Sequence, residues 1–271
     1  MSGVTMFHAS EQVVEQPVWN HAKDSIAKVK KDFGQGFYMC EATDYPIRLY
    51  CDRYLDNKSV YINEYILDKT DLNTLTLKDG IYWAMVAAAH RSDFTKHPEW
   101  HLFRDTVRSS LLTYELVVGT ISNDRLFSTM NDFIRNRCTD TFLLDCLRYM
   151  QYPMQYVSKC AKTDTRLMFV RYIEVSQDKL REVYERQEEE CIAMENVIDE
   201  MQNSHRKLVR EKRKAGDYTF EGRFFVDIID DWVAAGQPKG IELKNFLPEL
   251  SERGSRDDVS IAGIFRNKEI K

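Results

Sequence analysis

Two segments of the chain carry the apolar, aromatic and β-branched residues that are typical of strands. Val60–Leu67 is dominated by such residues, and Tyr114–Ile121 becomes a continuous apolar run after Glu115. A run without polar alternation indicates a strand that is buried on both faces. We therefore predict both segments as strands and expect the second to lie in the centre of a sheet.

Other segments carry apolar residues at the spacing of an amphipathic helix. They are Ile81–His90, Pro98–Leu112, Arg125–Asn136 and Phe224–Ala235. Another helical piece is expected near Pro248, and a terminal strand at Val259–Phe265. Short strands mixed with helices, without a linker rich in Gly, Pro or Ser, predict one α+β domain over about the first 160 residues.

The segment Ser176–Ala215 is highly charged and contains neither Gly nor Pro, which predicts one long helix. Some of its residues recur at alternating steps of four and three, the spacing of a coiled-coil seam. These residues are Leu180, Tyr184, Gln187, Cys191, Met194, Ile198, Met201, His205 and Leu208. Because Gln187 and His205 are polar, two alternatives stay open. Residues 176–214 either form a coiled coil with a second copy or a partner protein, or fold back on their own domain.

Composition limits the class of protein. The 271 residues, 43% hydrophobic and 30% charged, suffice for a buried core. We expect an α+β domain at residues 1–165, a charged helical segment at 166–215 and a small C-terminal subdomain at 216–271. No apolar run is long enough for a membrane span and no signal peptide is evident, so we expect a cytoplasmic protein without a membrane partner.

Charge and cysteine usage exclude further classes. The formal net charge of −5 disfavours nucleic-acid binding over the whole surface, although a local basic patch can still serve that role. The six cysteines have wide, irregular spacings without a C-x-x-C pair. This pattern favours reduced thiols over a disulfide framework or a zinc site.

Three separated motifs carry the candidate chemistry. They are MFHAS at residues 6–10, KDFGQGFY at 31–38 and YELVVGTISNDR at 114–125. In this order and at these separations they resemble the bacterial family of domains of unknown function numbered 3990, which is similar to the ADP-ribosyltransferases. The stretch QYVSKCAK at 155–162 resembles the segment that closes such domains, so the resemblance extends from Val4 to Lys162.

The resemblance implies an ADP-ribosyltransferase-like split β-sheet around a cleft for NAD. His8 resembles a strand-borne histidine that hydrogen-bonds the ribose and the nicotinamide amide of NAD, and an imidazole can both donate and accept. Ala9 and Ser10, which follow His8, leave open space for the ligand, and Ser10 is a further candidate for binding NAD. The structural alternative is a histidine whose hydrogen bonds are satisfied within a core.

The second motif is implied to approach the same ligand. Gly34 and Gly36 permit backbone angles, and a close approach of the chain to a ligand, that other residues do not. Phe37 and Tyr38 follow, and the ring of Tyr38 would stack on nicotinamide. The alternative is an ordinary turn between strands with Phe37 in the core.

The implied reaction needs a carboxylate, because the departure of nicotinamide leaves an oxocarbenium-like ribose. Glu115, at the start of the predicted strand, is the first candidate, and Asp124, which follows Asn123 at its far end, is the second. The alternatives are a solvated strand-edge residue for Glu115 and a helix cap for Asp124. Arg125 would hold the pyrophosphate of NAD or is a surface charge.

Two further patterns do not indicate metal chemistry. His97 and His101 are one helical turn apart, but no acidic pattern completes a metal site. The stretch Leu250–Phe265 resembles the last strand region of metal-dependent phosphatases of the 2C type, yet the D-G-x-G stretch that such enzymes need does not occur. We therefore expect no metal ion.

The resemblance implies a mono-ADP-ribosyltransferase that cleaves NAD and transfers ADP-ribose to a protein or a nucleic acid, with NAD hydrolysis as a further activity. Such a protein would act as a bacterial toxin, effector or defence protein. The alternative is a non-catalytic module that binds a nucleotide or a partner and assembles through its charged helix. Catalysis requires His8, Tyr38 and an acid to converge on one cleft, whereas the alternative predicts a filled cleft or a Glu115 directed elsewhere.

Overall fold

The computed structural model describes residues 3–20, 31–42, 59–78, 80–92, 94, 100–121, 126–150 and 153–253. The chain divides into two compact units, each assembled from three stretches. The first takes its residues from Met1–Lys78, Leu111–Ile121 and Tyr152–Val197, and the second from Asp79–Ser110, Ser122–Gln151 and Ile198–Lys271. The linear boundaries near residues 165 and 215 stay a prediction, since these units group residues in space rather than in chain order.

The first unit contains a mixed sheet of seven strands among the described residues. The strands are β1 (Val4–Ser10), β2 (Phe37–Cys40), β3 (Val60–Leu67), β4 (Thr74–Leu77), β5 (Leu116–Thr120), β6 (Met154–Ser158) and β7 (Leu167–Val175). Their order is β4-β5-β6-β2-β1-β3-β7, with only β4 and β5 parallel. The predicted α+β class is confirmed. Within the described sheet, β1 and β2 are joined by a single residue pair, Phe7 with Cys40, whereas β1 and β3 pair over seven residues.

The two predicted strands occupy different positions in this sheet. Val60–Leu67 is a strand with the predicted bounds. β5 is buried at all five positions, as the apolar run of Tyr114–Ile121 indicated. It lies next to the edge strand β4, however, so the central placement of this strand was wrong.

Side chains alternate between the two faces of the sheet, which separates two apolar clusters. Met6, Met39, Tyr65 and Tyr156 lie on one face, which we call the His8 face because His8 has the same parity as Met6 on β1. The opposite face carries a second set, which packs against helix α6: Ala9, Val60, Ile62 and Val175, with Leu180 and Val183 of the helix.

The described helices are α1 (Ile81–Arg91), α2 (His101–Leu111), α3 (Leu126–Ile134), α4 (Asp140–Met150), α5 (Ala161–Asp164), α6 (Gln177–Lys214), α7 (Phe225–Ala234) and α8 (Gly240–Arg253). Each helix predicted above is present, with ends that differ by up to three residues. The predicted strand Val259–Phe265 lies outside the described residues. None of the described helices is both long enough and apolar enough to cross a bilayer.

The second unit is helical and has an aromatic core. Phe225 at the start of α7 is fully buried, and its ring centroid lies 4.9 Å from that of Trp100 and 5.6 Å from that of Phe133. Phe94 and Phe103 complete this cluster around the same ring. Aromatic pairs in edge-to-face and stacked arrangements contribute about 0.5–1.5 kcal/mol each beyond the burial of their area.

Helix α6 contributes to both cores, one half to each. Leu180 is buried against the sheet of the first unit, and Ile198 and Val209 are buried in the second. Leu208, a member of the predicted seam, remains 48% exposed. These buried positions favour the alternative in which the helix folds back on its own chain, and assembly through residues 176–214 stays a prediction.

Candidate functional site

His8 lies on β1, an interior strand that pairs with β2 on one side and β3 on the other. Its Nδ1 is 2.7 Å from the carbonyl oxygen of Tyr38, and its ring centroid is 4.3 Å from that of Phe37. Because a carbonyl only accepts, Nδ1 carries the proton and Nε2 carries the lone pair. Among the described residues no hydrogen bond reaches Nε2, so this part of the chain leaves its lone pair unused.

The environment of His8 keeps its imidazole neutral. Burial lowers the pKa of His8 to about 4, and the positive charge of Lys31 acts in the same direction. The hydrogen bond to the carbonyl of Tyr38 raises the pKa but only partly opposes burial. At neutral pH, His8 therefore presents a fixed acceptor rather than a cation.

Asn63 on β3 supports the strand that carries His8. Its buried amide accepts the N–H of Val14 at 2.8 Å and donates to the carbonyl oxygen of His8 at 3.3 Å and to Oγ of Ser10 at 3.0 Å. The hydroxyl of Ser10 also donates to the carbonyl of Gln12. Ser10 is thus held at the end of β1 by this network and binds no more than one further donor.

Tyr38 lies next to Phe37 on β2, and strand alternation places its side chain on the face opposite His8. Its hydroxyl donates to the carbonyl of Gly34 at 2.6 Å and accepts the N–H of Phe33 at 3.2 Å. The ammonium of Lys31 lies 4.7 Å from the centre of its ring. The structure therefore brings the side chain of Phe37, not that of Tyr38, beside His8.

The structure explains the need for glycine differently at the two positions of the second motif. Gly34 has a φ of 71°, a left-handed conformation that glycine adopts without strain. Gly36 lies against β6, where a Cβ atom would be 2.6 Å from the carbonyl oxygen of Ser158 and would also overlap Cγ1 of Val157. The approach of strand β6, rather than of a ligand, accounts for the glycine at residue 36.

Polar contacts fasten this turn to β6 and the residue after it. Asp32 is buried and accepts a hydrogen bond from Nε2 of Gln155 at 2.7 Å. The buried ammonium of Lys159 donates to the carbonyl of Phe33 at 2.7 Å and to that of Gln35. Burial lowers the pKa of Lys159 to about 8. These contacts explain why the motif at 31–38 and the stretch at 155–162 occur together.

Glu115 precedes β5, and its side chain is engaged at that end of the sheet. Its Oε2 accepts the N–H of Asn73 at 2.8 Å and the ammonium of Lys162 at 2.9 Å. The hydrogen bond from Asn73, followed by the interaction with Lys162, lowers the pKa of Glu115. β5 lies three strand spacings from β1, about 14 Å at roughly 4.8 Å each. Glu115 and His8 are therefore not brought together.

A family comparison covers the region that contains these residues. The model of a family described as "Protein of unknown function (DUF3990)" matches residues 4–169, more than half of the chain. The chain belongs to the DUF3990 family. No curated protein and no solved structure matches it. The DUF3990 region begins with β1 and ends within β7, so it includes His8, the turn at 31–38 and Glu115.

Three candidate residues of the DUF3990 region lie outside the described residues. They are Asn123, Asp124 and Arg125, which follow β5. The assignments of Asp124 as the second candidate acid, of Asn123 as a cofactor-binding residue and of Arg125 as the pyrophosphate-binding residue stay predictions.

One carboxylate on the His8 face was missed by the sequence analysis. Glu41 follows β2 with the same parity as Phe37 and Met39, and its Oε1 accepts a hydrogen bond from the hydroxyl of Tyr156. Burial and the carboxylate of Glu41 raise the pKa of Tyr156 to about 12, so this tyrosine remains a donor. Strand parity was the signal that could have found Glu41, since it places residues 37, 39 and 41 on one face.

Proposed function

We propose that this DUF3990 protein binds NAD on the His8 face and cleaves its nicotinamide–ribose bond as a mono-ADP-ribosyltransferase. The observation that carries the proposal is the neutral imidazole of His8, which the carbonyl of Tyr38 fixes and whose Nε2 lone pair no described residue uses. Ribose hydroxyls and the nicotinamide amide are donors that suit such an acceptor. The three motifs resemble the DUF3990 family, and the similarity of that family to ADP-ribosyltransferases supports the choice of NAD.

The reaction requires a negative charge close to C1′ of the ribose, and a carboxylate supplies it. The bond between C1′ of the ribose and the ring nitrogen breaks, and nicotinamide leaves with the bonding electron pair. A nearby carboxylate stabilises the oxocarbenium-like ribose, and the acceptor then bonds to C1′ and loses its proton. Glu41 shares the His8 face, so we assign this role to Glu41 in place of Glu115 and keep Asp124 as the other candidate.

A second candidate function is a non-catalytic module that binds a nucleotide or a partner. The observation that favours it is the position of Glu115, which is paired with Lys162 three strands away from β1. The hydroxyl of Tyr38 is likewise used within its own turn. In this case His8 would hold a ligand without any bond being broken. A cytoplasmic location and assembly through residues 176–214 belong to both candidates.

Release of nicotinamide from NAD by the purified full chain tests the proposal. Wild type would be compared with His8→Gln, Glu41→Gln, Asp124→Asn and Glu115→Gln by chromatography, with NAD binding measured separately by calorimetry. We expect His8→Gln to weaken binding, Glu41→Gln to abolish release while binding persists, and Glu115→Gln to retain both.

The other outcomes separate the candidates. Binding without release in wild type, with and without added cell protein and RNA as acceptors, would replace the transferase by the binding module. Loss of release in Glu115→Gln but not in Glu41→Gln would contradict our assignment of the acid. If the protein did not bind NAD, neither the transferase nor an NAD-binding module would describe it.

A further inference from the structure

The second half of helix α6 concentrates positive charge. Residues 201–214 contain six cations and one carboxylate, whereas residues 177–200 contain nine carboxylates and three cations. The net charge of −5 therefore conceals a basic segment that lies in the second unit. Cations in the last turn of a helix interact favourably with its dipole, but Arg206, Lys207 and Arg210 precede that turn.

Contacts with neighbouring residues orient part of this segment. Arg206 pairs with the buried carboxylate of Asp132, which also lies 3.7 Å from Arg137. Arg213 donates to the carbonyl of Asn136 at 3.1 Å. Steps of four and three place Arg210 on the same helix face as Arg206 and Arg213.

These contacts bring Arg137, Arg206 and Arg213 together within the second unit. We call these residues, with their exposed neighbours along the chain, the basic surface: Arg135, Arg137, Arg206, Lys207, Arg210, Arg213 and Lys214. The carboxylates within it are Asp132, which is buried, and Glu211. No ion pair within the described residues joins Arg135, Lys207, Arg210 or Lys214 to a carboxylate. The surface therefore keeps a clear excess of exposed positive charge.

An exposed aromatic residue follows this surface along the chain. Tyr218 is 52% exposed in the turn after α6. The turn is held by Asp217, which accepts the N–H of Thr219 at 2.9 Å, and by Lys212, which donates to the carbonyl of Thr219. An accessible ring is thus presented four residues after the end of the helix, next in sequence to Asp217, which pairs with Lys212 at 3.4 Å.

We propose that the basic surface and Tyr218 bind single-stranded nucleic acid. Cations spaced along a helix neutralise successive phosphates, and an exposed aromatic ring stacks on an unpaired base. The exposed ring favours a single strand over a duplex, whose bases are stacked on one another. It also favours nucleic acid over an acidic peptide, which has no base to stack. This binding is independent of the proposed NAD chemistry.

Fluorescence anisotropy with labelled 20-nucleotide oligo(U) and oligo(dT), measured with the full chain over a series of salt concentrations, tests this surface. The test variant is Lys207→Gln/Arg210→Gln/Lys214→Gln. The matched control is Lys179→Gln/Arg181→Gln/Arg186→Gln, which removes the same charge from the first half of α6. Circular dichroism would check that both variants retain their helices.

We expect wild type and the control to bind with similar salt dependence. In the test variant, the slope of log affinity against log salt should fall by about 2, since each lost phosphate contact on a single strand contributes roughly 0.7. Tyr218→Ser should weaken binding about 5- to 150-fold, corresponding to the loss of one stacked base.

Three results would overturn the proposal. One is no binding at 50 mM salt. Another is an equal loss in the test and control variants, which would indicate non-specific attraction. The third is binding of polyglutamate that matches oligo(U) and is unaffected by Tyr218→Ser, which would identify an acidic protein segment as the occupant instead.

Discussion

The substitution Gly36→Ala tests whether the second motif exists to pack strands or to admit a ligand. The added Cβ would lie 2.6 Å from the carbonyl oxygen of Ser158 and would overlap Cγ1 of Val157, both on β6. Because Gly36 does not have a positive φ, alanine introduces no backbone strain there and the whole effect is steric. Overpacking of this kind costs about 1–3 kcal/mol of the free energy of unfolding.

The urea midpoint of Gly36→Ala, followed by far-UV circular dichroism, measures this loss. We expect the midpoint to fall and the unfolding slope to stay unchanged, since the surface exposed on unfolding is the same. Because the overlap is with β6, the urea midpoint should fall in the absence of any ligand. A variant with the wild-type midpoint but weakened NAD binding would refute the packing explanation and restore Gly36 as a ligand-contacting glycine.

Three further predictions concern the sheet and its turn. Asn63→Leu should lower the free energy of unfolding by about 1–3 kcal/mol, because the N–H of Val14 loses its partner. Faster hydrogen exchange at Val14 would check this, and unchanged exchange would contradict it. Since the folded pKa of His8 is about 4 and the unfolded value 6.5, unfolding takes up a proton between these values. Stability should therefore fall by up to about 3 kcal/mol as the pH drops from 6.5 to 4, as urea midpoints at several pH values would show, and His8→Gln should lose this component. Phe33→Ala, which removes a fully buried ring seated over Gly119, should cost about 3–5 kcal/mol in the same urea assay, and a cost below 1 kcal/mol would show that the ring is not packed there.

Local sequence patterns predicted most of the longer helices and the strand Val60–Leu67, but they missed the helix Asp140–Met150 and the strands β2, β4, β6 and β7. Val60–Leu67 was found to the residue because β-branched and aromatic residues fill it and because it pairs on both sides. The prediction that Tyr114–Ile121 lies in the centre of the sheet was wrong because the neighbouring edge strand was not recognised. The short strand Thr74–Leu77 pairs with it in parallel, and four residues are too few to give a periodic signal.

The candidate site depended on registers that a single sequence does not contain. His8 was placed correctly on a strand, but its relation to Tyr38 follows from the pairing of Phe7 with Cys40, which puts the side chains of His8 and Tyr38 on opposite faces. The partner of Glu115 is Lys162, 47 residues away along the chain. Long-range contacts of this kind are decided by the packing of the whole sheet and not by local preference.

The most direct test of the central claim observes the imidazole of His8 while NAD is added. Two-dimensional ¹⁵N–¹H spectra of histidine-labelled protein report separately on Nδ1 and Nε2. We expect a protonated Nδ1 and an unprotonated Nε2 at pH 7, and a shift of the Nε2 resonance that saturates with NAD and is absent in His8→Gln. An Nε2 resonance that does not move at saturating NAD would contradict the assignment of His8 as the residue that binds it.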